Sequence, residues 1–529
     1  VKGEQVIEVD ESNAVLNTKK KNKAKAIFAG LRPDQYGMDY KHQENDYNDF
    51  EVEVLLPQKQ SALGPFISAG DVNGDRIDDA FIGGAKGQAA VLYLQNSQGS
   101  FYKQKGPWEA DKLYEDLGSL FFDADNDGDL DLYVVSGGSA DVEKKYYQDR
   151  LYFNDGHGNF KKTKGRLPKI TASGLRVRSL DIDNDGDLDL FVGGRVSPEK
   201  YPYPAQSYLL ENKNGYFKDI TSKTPSLQTP GLINDILCTD FTGDGKEDIV
   251  LAGEWMPVRF FENNGDKSFK EVTDLYGDES VKGWWYSLTL ADLNEDGIND
   301  IIAGNIGVNN KFHPSKEKPL NLYSNDFDKN GTCDVVLSKY YKGKEVPVRG
   351  KQCSSDQMPF IGEKFQTFES FAKASLTDLY GEKELENAFH VQATDFRSYM
   401  FIAKENRRFD MQVMPIETQY APINAAHVMD FNGDGHVDIL IGGNLHHTEA
   451  ETPRYDAGVG VFMLGDGKGD FSKVPLLESG FFIRKDCKDI QLLRGVNSDK
   501  CLVVNNNDVA QLFDMGKVFK SKELTAIVK

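Results

Sequence analysis

The chain contains little cysteine, little tryptophan and no long apolar run. Its 529 residues include 5 Cys and 4 Trp. No two cysteines form a C-x-x-C pair, so the sequence offers no zinc motif. Without a run of about 18 apolar residues, no membrane-spanning helix is expected. We expect reduced, separate cysteines; a disulfide between Cys487 and Cys501 on neighbouring strands stays open.

Positive charge is scarce as well. There are 62 Lys and Arg against 83 Asp and Glu, and the net charge is −21. Basic residues cluster only near residues 19–25, whereas a protein that grips nucleic acid through phosphates is basic, at least locally. We therefore expect no nucleic-acid partner and look for another origin of the acidity.

The acidity is concentrated in one motif that occurs seven times. It reads Asp-x-(Asp/Asn)-x-Asp-Gly-x-x-Asp, and an apolar run follows it. The copies begin at Asp71, Asp123, Asp181, Asp240, Asp292, Asp326 and Asp430. Four of the six spacings are 52 to 59 residues, which suits one four-stranded propeller blade per repeat.

The spacing within the motif predicts calcium binding. Ca²⁺ takes 6–8 oxygen ligands, and carboxylates at alternate positions of a tightly curled loop can supply them. Side chains at positions 1, 3, 5 and 9 and the carbonyl of position 7 would be the ligands, with glycine at position 6 allowing the turn. The loops are not EF-hands, because position 12 is apolar instead of Glu. The predicted ligands of up to seven Ca²⁺ are Asp71, Asn73, Asp75, Ile77 and Asp79; Asp123, Asp125, Asp127, Asp129 and Asp131; Asp181, Asp183, Asp185, Asp187 and Asp189; Asp240, Thr242, Asp244, Lys246 and Asp248; Asp292, Asn294, Asp296, Ile298 and Asp300; Asp326, Asp328, Asn330, Thr332 and Asp334; and Asp430, Asn432, Asp434, His436 and Asp438.

The loops are not equivalent. Arg76 replaces the glycine of the first loop, and Thr242 and Asn330 are weaker oxygen ligands in the fourth and sixth loops. We expect the loops at 123 and 181 to bind calcium most tightly and those at 71 and 240 least tightly. Since each loop would join strands 1 and 2 of a blade, all seven are expected on one face of the disc.

The strand patterns predict an all-β propeller with seven blades, or eight as the alternative. Aromatic hairpins recur seven times, but the loops at 292 and 326 are too close to begin two complete blades, so one of them would lie in an insertion. Residues 51–56 alternate like a strand and are expected to complete the last blade, hiding its edge. A helical insertion is predicted at 355–388. Residues 1–48 would be a linker or the remnant of a preceding domain, and residues 49–529 the propeller.

The motif resembles the FG-GAP/VCBS repeats of integrin α-subunits and cartilage-acidic-protein-like proteins. Stretches such as EWMPV (254–258) and GWWYSLTLADLNEDG (283–297) are similar to the C-terminal propeller of Bacteroidota surface proteins that also carry an ASPIC/UnbV module. Residues 3–10 resemble the end of that module. The resemblance implies a calcium-binding propeller located extracellularly or at the outer-membrane surface, sometimes beside SusC/SusD-like importers. It implies no single activity.

Three function classes remain open. We expect a calcium-stabilised binding or scaffold module; the alternatives are a glycan-active enzyme such as a polysaccharide lyase, and a structural adhesin. No G-x-S-x-G or HExxH motif is present, so no catalytic residue is assigned. A protein or glycan partner is expected on the face opposite the calcium loops, where Arg195, Tyr201, Trp255 and Trp284 are the predicted contacts, because Arg and aromatics dominate interface hot spots.

Overall fold

The strands of this protein begin where the acidic motifs end. The computed structural model describes residues 26–140 and 143–519. In every motif the last Asp is the first residue of a strand, and the apolar run after it is buried; in Asp131–Ser136 all six residues are buried. A short run buried on both faces is typical of a strand inside a stack of sheets.

Seven four-stranded antiparallel sheets form most of the described chain, and an eighth is inserted into the fifth; the fourth and fifth are joined into one eight-stranded sheet where Glu254 pairs with Trp284. The strand bounds are β1 Ala29–Leu31, which joins sheet 7; β2 Ile67–Gly70, β3 Asp79–Ile82, β4 Val91–Gln95 and β5 Phe101–Gln104 (sheet 1); β6 Asp116–Phe122, β7 Asp131–Ser136, β8 Arg150–Phe153 and β9 Lys161–Lys162 (sheet 2); β10 Gly174–Leu180, β11 Asp189–Gly194, β12 Tyr208–Lys213 and β13 Tyr216–Asp219 (sheet 3); β14 Leu232–Thr239, β15 Asp248–Met256, β16 Arg259–Asn263 and β17 Phe269–Glu271 (sheet 4); β18 Gly283–Ala291 and β19 Asp300–Asn305 (start of sheet 5); β20 Leu320–Asn325, β21 Asp334–Tyr341, β22 Lys344–Pro347 and β23 Phe389–Ala393 (inserted sheet); β24 Tyr399–Ala403 and β25 Phe409–Val413 (end of sheet 5); β26 Ala425–Met429, β27 Asp438–Gly442, β28 Val461–Gly465 and β29 Phe471–Lys473 (sheet 6); and β30 Cys487–Leu493, β31 Lys500–Asn505 and β32 Gln511–Asp514 (sheet 7).

Helices are short and lie mainly in the insertion. They are α1 Asp49–Val52, α2 Thr273–Tyr276, α3 Lys351–Gln357, α4 Pro359–Lys364, α5 Phe368–Lys373, α6 Leu376–Tyr380, α7 Glu382–Glu386 and α8 Leu476–Ser479, with 3₁₀ turns at Pro33–Tyr36, Pro107–Asp111, Lys144–Tyr147, Thr221–Lys223, Pro225–Leu227 and Ile416–Thr418. Helices α3–α7 agree with the helical insertion predicted at 355–388.

The first strands of the seven sheets contact one another in cyclic order. Strand β2 contacts β6, and the series continues through β10, β14, β18, β26 and β30 back to β2. Sheets whose inner strands close into a ring make a β-propeller. The expected all-β propeller is confirmed.

The ring is closed by an N-terminal strand, but not by the predicted one. Strand β1 pairs with β32, with Gly30 opposite Phe513. The expectation that residues 51–56 complete the last sheet is wrong: residues 49–52 form α1, and Leu55 and Leu56 are buried in an apolar cluster away from sheet 7. The alternation there reflects burial on one side of an irregular segment. Strand β1 also lies inside the predicted linker 1–48, and the resemblance at residues 3–10 lies outside the described residues.

The insertion between β19 and β24 packs on one face of the ring. Its residues Leu337, Met358 and Leu379 share a buried cluster with Leu55 and Trp255. Because β20 and β21 flank the loop at 326, that loop belongs to the inserted sheet and not to a sheet of the ring. This accounts for its close spacing to the loop at 292.

Candidate metal centres

Each acidic loop is held in one tight conformation by its own side chains. The carboxylate of position 1 accepts backbone N–H groups of later loop positions; Asp240, for example, accepts from Gly243, Asp244 and Gly245 at 2.5, 3.1 and 2.9 Å. The carboxylate of position 5 accepts the N–H of position 7, as Asp127 does from Asp129 at 2.9 Å. These bonds curl the loop so that its oxygens gather on the inner side.

The curl requires left-handed backbone at two positions. All seven loops have positive φ at positions 4 and 6. Glycine favours this conformation, and Gly128 adopts φ 91° in the second loop. Arg76 adopts φ 64° in the first loop, so that loop keeps the common shape at the strain cost of a side chain in the left-handed region.

The Asp at position 9 connects each ring loop to the sheet behind it. Asp131 is fully buried; it accepts the N–H of Ala124 at 3.1 Å and that of Asn154, at the end of β8, at 2.8 Å. Burial raises the pKa of Asp79 to about 8, of Asp131, Asp189 and Asp334 to about 7, and of Asp248, Asp300 and Asp438 to about 6. Desolvation disfavours the charged carboxylate, and a bound cation would offset that cost.

The donor sets fit a hard cation. Three groups of carboxylates have ligand oxygens within 4.8 Å of one another: Asp123, Asp125 and Asp127; Asp181, Asp183 and Asp189; and Asp326, Asp328 and Asp334. In the second loop the Oδ1 atoms of Asp123 and Asp125 are buried and have no hydrogen-bond partner among the described residues. Buried polar atoms are normally satisfied, so oxygens left without a donor are available to a metal. All ligands are oxygens, as Ca²⁺ prefers.

Two loops contain a lysine ammonium beside a predicted ligand. Lys246 forms an ion pair with Asp244 in the fourth loop. Lys267, from the hairpin of sheet 4, contacts Asp183 of the third loop and Glu211. Each lysine competes with a metal for its carboxylate. For Lys246 this agrees with the weak calcium binding predicted at 240, but for Lys267 it disagrees with the tight binding predicted at 181. The order of affinities stays a prediction.

Six loops lie on one face of the ring, and two neighbouring pairs of them are hydrogen-bonded there. Asn126 of the second loop donates to Asp187 of the third, and His436 of the seventh bonds Glu295 of the fifth at 3.0 Å. The loop at 326 is different. Its strand residue Ser324 accepts a hydrogen bond from Tyr203, in the connection after β11, at 3.5 Å. The expectation of seven loops on one face is therefore wrong for this copy, which the insertion carries to the opposite face.

Asparagines at the ends of third strands tie the loops of neighbouring sheets together. The side-chain amides of Asn154, Asn212 and Asn263 donate to the carbonyls of Val72, Ala124 and Ile182 in the loop of the preceding sheet, at 2.8, 2.9 and 3.0 Å. Sequence reasoning missed them, although Asn ends the aromatic strands RLYFN, YLLEN and RFFEN. The loops at 71, 123 and 181 are thus braced from two sheets.

The four predicted partner contacts are all interior. Arg195, Tyr201, Trp255 and Trp284 are at most 4% exposed. Arg195 and the Tyr201 hydroxyl donate to Glu254 at 2.5 and 2.8 Å, and the Trp255 indole donates to Tyr201 at 2.6 Å. The prediction that these residues form an exposed partner surface is wrong, because the insertion and the segment 53–66 cover them. Gln58 of that segment donates to Glu254 at 2.5 Å.

A polar cleft of about 520 Å³ lies between sheets 6 and 7 on the face opposite the six loops. Three connections form its walls: the one after β27, the one before β30 and the turn after β31. Its lining residues are His446, His447, Arg454, Phe482, Arg484, Lys485, Asp486, Asn506, Asn507, Asp508 and Gln511. This is the face on which the sequence predicts a partner, although the residues predicted there are others.

Comparison with known proteins agrees with the repeat geometry. Residues 71–134, 123–192 and 240–303 match the FG-GAP-like repeat. The chain contains FG-GAP-like repeats. The matched stretches include five of the seven acidic loops, and each loop leads into a buried second strand.

Known relatives are distant. Cartilage acidic protein 1 of Xenopus tropicalis is 23% identical over 275 residues, covering 48% of this chain and 42% of that protein. The chain therefore spans less than half the length of this curated relative. None of the helices in residues 26–140 and 143–519 has the length and apolar character needed to cross a bilayer.

Solved structures resemble the chain only loosely. The V. cholerae biofilm matrix protein Bap1 has 11% identity and a TM-score of 0.36, covering 92% of this chain and 91% of that one. The structure of BBS1N with ARL6DN, soaked with lead, has 10% identity and a TM-score of 0.41, covering 96% and 100%. The Dos1 propeller has 10% identity and a TM-score of 0.34, covering 92% and 98%. The fold assignment rests on the sheets described above.

Proposed function

We propose that this chain is a calcium-stabilised propeller that acts as a binding or scaffold module outside the cell or at its surface. The observation that carries the proposal is the loop of residues 123–131, where buried carboxylate oxygens of Asp123 and Asp125 lack any donor among the described residues. The same loop shape recurs at the other six positions. Oxygen-only clusters of this kind suit Ca²⁺ at the concentrations found outside cells.

Calcium would stabilise the ring because the loops link neighbouring sheets. Asn154, Asn212 and Asn263 connect the loops at 71, 123 and 181 to the next sheet, so a metal that stiffens one of these loops also fixes the interface behind it. A ligand that binds only the native state adds RT ln(1 + [L]/Kd), about 2.7 kcal/mol per site at 100 Kd. A stable, multi-sheet disc is a suitable platform for partners on the face without the six loops.

Chelation tests the calcium proposal. We expect the melting temperature in excess EGTA to fall well below that in millimolar CaCl₂, and equal MgCl₂ to restore it poorly, because Mg²⁺ demands a stricter octahedral geometry. Isothermal titration of the chelated protein should detect several calcium sites. Unchanged melting in EGTA, together with no detectable calcium uptake, would contradict the proposal.

A pair of variants makes the test specific to one loop. Asp125→Ala removes a predicted ligand of the second loop and should lower the calcium stoichiometry by one. Asp410→Asn is the control, since Asp410 lies on an exposed hairpin, where it pairs with Lys404 at 2.6 Å. Equal stoichiometry in both variants would remove the second loop from the set of sites.

A SusC/SusD-like outer-membrane complex or a surface glycan is the partner we propose. Its support is the sequence resemblance to Bacteroidota surface proteins. Gentle solubilisation of native membranes, affinity capture of this chain and identification of co-purifying proteins test the protein partner. Protease added to intact cells tests the location: digestion of the chain is expected, and protection from the protease until the cells are lysed would contradict a surface position.

A glycan-active enzyme is the second candidate. A lyase requires basic and histidine side chains beside an acidic-sugar site, and the cleft between sheets 6 and 7 gathers His446, His447, Arg454 and Arg484. Incubation with acidic polysaccharides, with detection of unsaturated products by ultraviolet absorbance, separates the classes. Product formation that the double variant His446→Ala, His447→Ala abolishes would favour the enzyme over the binding module.

A further inference from the structure

The cleft between sheets 6 and 7 has unpaired positive charge at its rim. Arg454 and Arg484 are exposed, and neither forms an ion pair with any residue that the structure describes. Lys485, by contrast, is neutralised by Asp508 at 2.8 Å. Guanidinium groups bind planar carboxylates through parallel N–H bonds, so two free ones beside a cavity favour an anionic ligand.

The floor of the cleft carries buried polar atoms that lack partners. Asp486 is 2% exposed and its Oδ1 atom forms an ion pair with the Lys488 ammonium at 3.0 Å, whereas Oδ2, 3.8 Å from the Nε2 atom of His447, accepts no hydrogen bond within the described chain. The Nε2 atom of His446 and the Oε1 atom of Gln511 are likewise buried and unpartnered. Such atoms are costly unless something satisfies them. The floor can accept hydrogen bonds from hydroxyl groups and can exchange one with His446.

An aromatic side chain completes the lining. Phe482 is 43% exposed, and the Arg484 guanidinium lies 5.7 Å from its ring centre. An exposed ring next to a polar cavity offers an apolar platform for a flat ligand face. The volume of about 520 Å³ lies within the range of roughly 300–1,000 Å³ usual for small-molecule sites.

We propose that this cleft binds an acidic saccharide, with the carboxylate of a uronate unit on Arg454 and Arg484, hydroxyl groups on Asp486 and Gln511, and a sugar face on Phe482. The proposal deepens the binding-module function and rests on it. A phosphate group alone suits the site less well, because it would satisfy the arginines but brings no clustered hydroxyl groups for Asp486 and Gln511 and no flat face for Phe482. An acidic peptide would satisfy the arginines but brings neither clustered hydroxyls nor a rigid face for the ring.

Burial keeps the histidines of the cleft neutral, which suits hydrogen bonding to the hydroxyl groups of a ligand. Desolvation lowers the pKa of His446 and of His447. Near neutral pH the His446 ring can therefore donate one hydrogen bond and accept another, as a hydroxylated ligand requires, whereas His447 already donates from Nε2 to the Asn506 amide oxygen at 2.7 Å.

Titration calorimetry with defined oligosaccharides tests the proposal. The probes are a galacturonic acid trisaccharide, its carboxyl-reduced neutral counterpart and tri-glutamate, each titrated into the complete calcium-loaded chain. We expect measurable binding of the acidic trisaccharide and at least tenfold weaker binding of both other probes. Equal binding of tri-glutamate would assign the cleft to acidic peptides, and equal binding of the neutral sugar would remove the role of the arginines; either result overturns the proposal.

Matched variants locate the binding. The double variant Arg454→Ala, Arg484→Ala should weaken the acidic trisaccharide at least tenfold, and Phe482→Ala should weaken the acidic and neutral sugars alike. The control is Lys404→Ala, Arg408→Ala, which removes the same charge from the exposed hairpin after β24. Wild-type binding by the Arg454, Arg484 variant, or no binding by wild type at millimolar trisaccharide, overturns the proposal. Melting curves with and without EGTA are recorded on the same samples. If the sugar does not bind but EGTA still lowers the melting temperature, the saccharide site is rejected while the calcium proposal stands.

Discussion

Removing the Asn154 amide tests how the sheets of the ring are joined. This side chain is 8% exposed and donates to two carbonyls, that of Val72 in the preceding loop at 2.8 Å and that of Leu130 at 3.1 Å. Its backbone N–H, which alanine keeps, donates to Asp131. Asn154→Ala therefore deletes the Val72 bond between sheets 1 and 2, the Leu130 bond within sheet 2, and the bond that the Asn154 amide oxygen accepts from the Asp155 N–H at 2.9 Å.

The magnitude follows from the two carbonyls. A buried polar group left without its partner costs about 1–3 kcal/mol. Water can reach part of the loop and offset some of that cost, so we expect a loss of about 2–4 kcal/mol in the free energy of unfolding. Calcium affinity of the first loop should also fall, because Val72 lies inside it.

Denaturant unfolding in calcium buffer measures the loss. Asn406→Ala is the control: Asn406 occupies the exposed hairpin after β24 and accepts one local N–H from Arg408 at 3.1 Å. The control should change stability by no more than about 0.5 kcal/mol. A loss for Asn154→Ala no larger than that of the control would refute the idea that these amides join the sheets.

Three further predictions follow from single side chains. Arg76→Gly should stabilise the calcium-free protein by about 0.5–1 kcal/mol in thermal unfolding. Glycine relieves the left-handed strain at φ 64°, and this gain exceeds the cost of the added chain entropy in the unfolded state. Destabilisation would show that the Arg76 side chain contributes more than the strain costs. Phe28→Ala should cost about 3–5 kcal/mol, because Phe28 is 1% exposed and its ring centre lies 5.2–5.5 Å from those of Phe431, Phe462 and Phe481, whereas Tyr102→Ala on the exposed side of β5 should cost little. Burial raises the pKa of Glu53 from 4.5 to about 7, so the contribution of this side chain to stability is present below pH 4.5 and is lost as the pH rises through 7. Glu53→Gln should therefore be as stable as wild type near pH 4.5 and more stable at pH 8. Curves of stability against pH that run parallel for the two proteins would contradict the shift.

The repeated features of this fold could be predicted because the seven copies of the motif support one another's interpretation. Seven loops with one spacing indicate one loop shape, and the structure gives positive φ at the same two positions in all of them. Arg76 shows the strength of that constraint, since it adopts the conformation without being glycine. That one of the loops at 292 and 326 lies in an insertion could also be anticipated, because 34 residues cannot hold a complete four-stranded sheet and its connections, but the spacing did not tell which one.

Features that occur once were harder to predict. The closing strand Ala29–Leu31 has the sequence AGL, which carries no alternation and little β-propensity. It is a strand because β32 offers it an unpaired edge and Phe28 anchors it in a core. Residues 51–56 have the stronger local pattern, yet tertiary packing places them as a cover over the ring. Edge pairing depends on the partner that is available and not on the segment alone.

The misplaced partner site has the same physical origin. Arg195 and Trp255 have the composition of an interface hot spot, and they do form an interface, but with another part of the same chain. Gln58 reaches Glu254, and the backbone N–H of Tyr201 donates to Glu53 at 2.7 Å, so the segment 53–66 occupies the position expected for a partner. The composition of a surface indicates that it is buried against something, but it does not identify the segment or molecule that buries it. The cleft between sheets 6 and 7 differs in that no described segment pairs with the two rim arginines or with the Nε2 atom of His446, and such unpaired groups are a better guide to an outside ligand than residue type.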